Sequence, residues 1–203
     1  MEQKTSGKRS MALPIMLVLL VMSLMGNILL MTKNIEHSRG NEVEAGEVVY
    51  DGFVQSRDHL AVWSGYMDQV VAPKGGEASL SRLSASHLAS LVASDEGGLS
   101  VLMASSAEIG GAEYADAAQQ YEGFRKKLAE ELAAIGNGNG PLQGSELEKI
   151  SAVQALFVQL TEQLGQFHYE MEGDRNSLIR LSAGHDWLEI AKELQKTVLS
   201  YSK

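Results

Sequence analysis

From Met11 to Met31 the chain runs 21 residues without a charged side chain, and no other feature limits its fold as strongly. A helix of that length rises about 30 Å, the thickness of the hydrocarbon layer of a bilayer. A soluble domain has no economical way to bury such a segment on every side. The run is therefore read as a transmembrane anchor over residues 11–31.

The flanks orient it. Lys4, Lys8 and Arg9 precede the run, whereas Lys33 and Arg39 beyond it are diluted by Glu36, Glu42, Glu44 and Glu47. Positive charge is retained in the cytoplasm, so residues 1–10 form a short cytoplasmic tail and the chain from about residue 32 is extracytoplasmic. A cleaved signal peptide would have a shorter apolar stretch ending in a small-x-small site. The exit here reads Leu29-Leu30-Met31-Thr32-Lys33, which favours an uncleaved signal-anchor. No second run of comparable length follows, and the expectation is a single-pass protein of the cell membrane, touching lipid through residues 11–31.

Cysteine is absent, so the exported part must hold together by burial rather than disulfides, and thiolate nucleophiles and Cys-based metal sites are excluded. No Asn-x-Ser/Thr acceptor occurs either. Both absences suit a protein of the bacterial cell envelope. Residues 32–203 carry 14 Lys and Arg against 25 Asp and Glu, a net charge near −11. Nucleic acid and anionic headgroups would repel such a surface, so no nucleic acid is expected among its partners.

Hydrophobic periodicity after the anchor is helical throughout. Val49, Phe53, Leu60, Trp63, Met67 and Val70 fall on one stripe, interrupted only by Ser56, and predict a helix from Ile35 to Val71 ended by Pro73 and Gly75-Gly76. Its early part, residues 32–48 with Gly46, reads as a juxtamembrane stalk. A second helix is expected over Glu77–Ser94, with Leu80, Leu83, His87, Leu88 and Leu91 inward. Gly97-Gly98 stops it, and a short apolar segment follows from Leu99 to Ile109. Ala117, Tyr121, Phe124, Leu128, Leu132 and Ile135 define a helix over Ala112–Ile135, closed by the Gly136–Pro141 run. Ser145 and Glu148 have the spacing of a capping box. Behind them Ile150, Val153, Phe157, Leu160, Leu164, Phe167 and Met171 repeat in steps of three and four, a coiled-coil seam. A linking segment from Gly173 to Gly184 leads to a last helix, Trp187–Tyr201, with Asp186 and Glu189 as a weaker capping box. No stretch alternates with period two. The fold class is all-α: one N-terminal transmembrane helix, then an extracytoplasmic antiparallel helical bundle of four to five helices over residues 49–203.

Chemistry is harder to find. His168, Glu170, Glu172 and Asp174 cluster near a helix end, but residues two apart on a helix point to different faces, and a solvated acidic end is the plainer reading. His37, His59, His87 and His185 show no metal-ligand spacing. The Gly-Asn-Gly-Asn-Gly run lacks the Lys-Ser/Thr ending of a phosphate loop and follows a helix rather than a strand. No catalytic residue, metal or cofactor is expected. Arginines outside the anchor's flank number six: Arg39, Arg57, Arg82, Arg125, Arg175 and Arg180. An inward arginine can grip a carboxylate ligand with its planar fork, and Arg175 and Arg180, in the linking segment, are the candidate ligand-binding pair. Within the anchor, Ser23, Gly26 and Asn27 have the size and spacing that let two transmembrane helices associate, so a homodimer is a candidate.

These features point to a non-enzymatic module, regulatory or scaffolding, that binds an envelope or membrane protein partner. The layout, one anchor followed by amphipathic helices, resembles the exported sensor domains of bacterial chemoreceptors. That resemblance implies a small-molecule-sensing bundle acting through a separate signalling partner, since no second apolar run returns across the membrane. A third expectation is a cell-envelope enzyme with dispersed residues. The anchor itself is testable: Leu20→Arg places a charge at mid-span, disfavouring insertion by about 2.5–3.5 kcal/mol. The variant should shift toward the alkaline-carbonate-extractable fraction, and a conservative Leu20→Ile should not.

Overall fold

The computed structural model describes residues 12–72, 77–168 and 174–202. It divides into two compact units, Met1–Asn41 and Glu42–Lys203. The expected cytoplasmic tail, the Pro73 and Gly75-Gly76 stop, Met171 of the seam, and Glu170 and Glu172 lie outside the described residues.

Among the described residues every regular element is helical, with seven α-helices. They are α1 (Ala12–Val71), α2 (Ala78–Ala93), α3 (Leu99–Ile109), α4 (Ala117–Gly136), α5 (Gly144–Gly165), α6 (Arg175–Ser182) and α7 (Leu188–Ser202). A single 3-10 turn, Gly111–Glu113, precedes α4. The count exceeds the expected four to five because the Leu99–Ile109 segment and the linking segment each fold as a short helix.

In the first unit, α1 exposes every large apolar side chain from Ile15 to Met31. An 18-residue window there has a mean hydropathy of 2.4, and none of it is buried inside the protein. This is one helix near the N-terminus long and apolar enough to cross a membrane, by length and composition.

The second unit is an up-and-down bundle whose directions follow from side-chain pairs. Trp63 meets Phe157 and Phe53 meets Phe167, so α1 and α5 run antiparallel. Tyr66 meets His87, while the Gly98 N–H donates to Gln55 Oε1, so α2 runs against α1. Ser86 lies against Gly136, and Arg125 reaches the backbone of Asp95, which makes α4 antiparallel to α2. Gln195 bonds Gln120 and Lys127 bonds the carbonyls of Tyr201 and Ser202, so α7 runs parallel to α4. The short α3 and α6 link the long helices α2 with α4 and α5 with α7.

The apolar stripes read from the sequence are the core. Val49, Phe53, Leu60, Trp63, Met67 and Val70 of α1 are all buried, as are the α4 stripe and the α5 seam from Ile150 to Phe167. The Phe53 and Phe167 rings stack 3.8 Å apart, and Trp187 stands edge-on to Phe53 at 6.2 Å. The Trp187 Nε1–H donates to the Leu181 carbonyl at 2.8 Å, which satisfies its one polar atom inside an otherwise apolar cluster. Ser56, the interruption in the α1 stripe, is also buried and donates to the Gly52 carbonyl at 2.6 Å. This local bond lets a hydroxyl sit in the core.

Three expectations are corrected. The buried face of α2 is Ser81, Arg82, Ser84, Ala85, Leu88, Ala89 and Val92, whereas Leu83 is 67 % exposed and His87 faces solvent. Helices α2 and α4 come into backbone contact near the end of α4, where a Cβ on Gly136 would lie 2.8 Å from the Ser86 nitrogen. The N-terminal box of α5 is not Ser145–Glu148, because α5 begins at Gly144, one residue before Ser145. Glu146 instead accepts from the Gln143 N–H at 2.8 Å. Asp186 does not cap α7. It has φ +68° and its carboxylate accepts from Arg180 at 2.6 Å, while α7 starts only at Leu188.

The segment read as a stalk contributes to the bundle. Gly46 is buried, and a Cβ there would lie 2.0 Å from the carbonyl oxygen of Leu178 in α6. Helix α6 crosses α1 backbone to backbone, and only glycine permits it. Gly65, on the same helix, has nothing within 4 Å of a built Cβ. Gly46→Ala should therefore destabilise the bundle by about 1–3 kcal/mol through overpacking. Gly65→Ala should stabilise it by about 0.5–1 kcal/mol, the helix-interior cost of glycine. Thermal unfolding of the full-length protein in micelles, followed by circular dichroism, should move in opposite directions for the two variants.

Candidate functional site

Helices end in carbonyls that lack an intrahelical donor and carry partial negative charge. Lys, Arg or His in a helix's last turn ordinarily answers this. Among these seven helices only α6 has such a residue, Arg180. Four of the others, α2, α4, α5 and α7, borrow cations from neighbours. Arg57 of α1 donates to the Leu164 carbonyl at 3.0 Å and to that of Phe167, closing α5. Arg125 of α4 donates to the Asp95 carbonyl just beyond α2. Lys127 serves Tyr201 and Ser202 at the end of α7, at 3.1 and 3.2 Å.

Arg82 goes furthest. It is a buried arginine that donates to the carbonyls of Ile135 (2.5 Å), Gly140 (2.8 Å), Asn139 and Pro141 (both 3.3 Å). The same guanidinium meets Glu146 Oε1 and Oε2 at 2.9 and 3.1 Å. The Gly-Asn-Gly-Asn-Gly run therefore wraps a cation. Gly138 is needed because a Cβ there would fall 2.0 Å from an Arg82 nitrogen. Arg82 and the Gln143 N–H hold the Glu146 carboxyl below its ordinary value.

A second cluster lies where the turn after α2 meets α1. Asp95 is buried, its side chain only 3 % exposed. Tyr121 of α4 donates to Asp95 Oδ2 at 3.1 Å, and burial together with that carboxylate pushes the Tyr121 phenol well above its ordinary value. Oδ1 receives no aligned hydrogen bond, although His59 Nδ1 of α1 lies 2.8 Å from it with a side chain 40 % exposed. The turn can seat this tightly because of its glycines. A Cβ on Gly97 would lie 2.6 Å from Gln55 Oε1, and Gly98, at φ +48°, packs 3.1 Å from the Ser56 backbone. Beside the cluster opens a groove of about 380 Å³ lined by Gln55, His59, Val62, Trp63, Leu91, Ser94, Asp95, Glu96 and Gly97. A half-exposed imidazole backed by a buried carboxylate can accept or donate a proton at Nε2 and orient a bound polar group.

The residues singled out by sequence sit elsewhere. Arg175 is exposed at the first position of α6, and Arg180 is exposed and paired with Asp186. Ser23 and Asn27 are exposed and Gly26 has nothing within 4 Å of a built Cβ. His37, His168 and His185 are also exposed, and no group of three His, Asp or Glu side chains among the described residues is placed to hold a metal. Sequence reasoning missed His59 with Asp95 because the pair is 36 positions apart and joined only by the seating of the turn. The local signal is the acidic pair Asp95-Glu96 that precedes Gly97-Gly98. No protein-family description matches this chain, and no characterised protein or solved structure is similar to it.

Removing Arg82 leaves five acceptor groups facing a void. Arg82→Met should cost about 3–5 kcal/mol, the range for breaking a buried charge pair. Arg82→Lys should recover little, because an ammonium cannot span the same carbonyls. Urea unfolding followed by tryptophan fluorescence would measure both. Because the Glu146 pKa is lowered on folding from 4.5, its stabilisation is full above that value and is lost as pH falls through the lowered folded value. Glu146→Gln should remove that part of the acid sensitivity.

Proposed function

We propose that the chain is a membrane-anchored, non-enzymatic binding module of the bacterial cell envelope. In this reading its N-terminus is cytoplasmic and its acidic bundle stands outside, docked on a protein partner in a regulatory or scaffolding role. The observation that carries it is the apolar span of α1 from Ile15 to Met31, whose large side chains are all exposed and no part of which is buried inside the protein.

Charge defines the partner. Residues 42–203 hold 24 Asp and Glu against 12 Lys and Arg, and Arg57, Arg82, Arg125 and Lys127 are engaged on helix ends. The surface left for docking is acidic, which favours a basic face on the partner. A second reading, a ligand-sensing bundle acting through a separate signalling protein, is favoured by the groove beside Asp95.

A photo-crosslinking side chain at exposed Val62, Leu83 or Val158 of the full-length protein, in intact cells, tests the main reading. The expected result is a discrete membrane-fraction adduct whose yield falls as salt is raised. Absence of an adduct from all three sites, or a C-terminal tag shielded from external protease, would overturn it.

A further inference from the structure

We propose that the groove between α1 and the turn after α2 binds an organic ammonium ion with a compact apolar body. The proposal deepens the sensing reading and does not depend on partner docking. Every charged group lining the groove is acidic except His59: Asp95 and Glu96 are carboxylates, and Gln55 turns its Oε1 toward Gly97 and Gly98. No lysine or arginine lines it. The remaining wall is Val62, Trp63 and Leu91, and a volume of about 380 Å³ falls at the small end of ligand sites.

The specific demand comes from Asp95. A carboxylate oxygen this buried needs a donor or cation beside it, and at Oδ1 the one present is His59 Nδ1, 2.8 Å away. What lies on it is His59, the half-exposed side chain at the groove mouth. An ammonium offers three N–H donors on a full positive charge. It can take the place of the imidazole at Oδ1 once His59 swings outward. Metal ions are disfavoured because the His and carboxylate groups do not converge in threes among the described residues, whereas one ammonium needs only one carboxylate and nearby acceptors.

The test uses the two tryptophans, Trp63 in the groove wall and Trp187 in the core. Full-length protein labelled with fluorotryptophan, in nanodiscs, is titrated with 2-phenylethylamine, 2-phenylethanol and 3-phenylpropionate while the fluorine spectrum is recorded. The expected result is a saturable shift of the Trp63 signal with the amine alone, Trp187 staying fixed. Asp95→Asn should weaken binding about tenfold or more, the scale of one charge-assisted hydrogen bond. His59→Ala, which uncovers Oδ1, should bind at least as tightly as the parent. If Asp95→Asn fails to fold, exposed Glu96→Gln should weaken binding several-fold and Val62→Trp should fill the groove and abolish it. Equal shifts with the alcohol would overturn the proposal, as would no amine shift up to ~10 mM, or His59→Ala losing as much affinity as Asp95→Asn. These readouts are independent of the crosslinked adduct, so failure here and failure of partner docking are told apart.

Discussion

The bundle depends on cations reaching across to neighbouring helix ends. Six of the seven helices finish without a basic residue of their own, and four of them, α2, α4, α5 and α7, meet one from a neighbour. Arg57, Arg82, Arg125 and Lys127 supply the missing donors from adjacent helices. Each such bond does two things. It lowers the electrostatic energy of a helix terminus, by about 0.3–1 kcal/mol at an exposed end and more when half-buried. It also ties one helix's register to the end of another, which packing of apolar stripes alone does not. Arg82, bonded to four carbonyls and one carboxylate, sets the path of the whole connection from α4 to α5.

Close backbone approach is the second constraint, and it works with the first. Arg82 can enter the α4–α5 connection only because Gly138 leaves room, and Ser86 can lie against α4 only because of Gly136. The same logic places the Asp95 cluster. Arg125 holds the carbonyl of Asp95, Tyr121 holds one of its carboxylate oxygens, and Gly97 and Gly98 let the turn settle on Gln55, Ser56 and His59. The remaining oxygen is left facing the imidazole. A polar site thus arises where the bundle's capping scheme and a glycine turn coincide.

Most of the fold was legible in the order of residues, because helical burial has a period and the period survives in sequence. The stripes of α1, α4 and α5 are legible, since each is bulky and continuous. The face of α2 was misread. Serine and alanine carry little hydrophobic signal, and Leu80, Leu83 and His87 happened to fall at helical spacing on the outer side. The capping box of α5 differs for a related reason: Ser145 and Glu148 have the right types at the right interval, but the N-cap is Gln143, two residues earlier, with Glu146 drawn to Arg82. Arg57, Arg82 and Arg125 each grip backbone carbonyls of another segment, and such partners leave no mark in the sequence.

The sequence by itself determined the apolar helix near the N-terminus, the all-helical class and the residues of the main core. These follow from composition and spacing along a single chain, where burial of one face is a local property. Only the tertiary structure decided which cation meets which helix end, where backbones touch, and that His59 and Asp95 share a groove. Those are relations between segments far apart in the chain, as Gly46 and Leu178 are. Their geometry is set by how helices of similar stripe pack and turn, and periodicity does not record it.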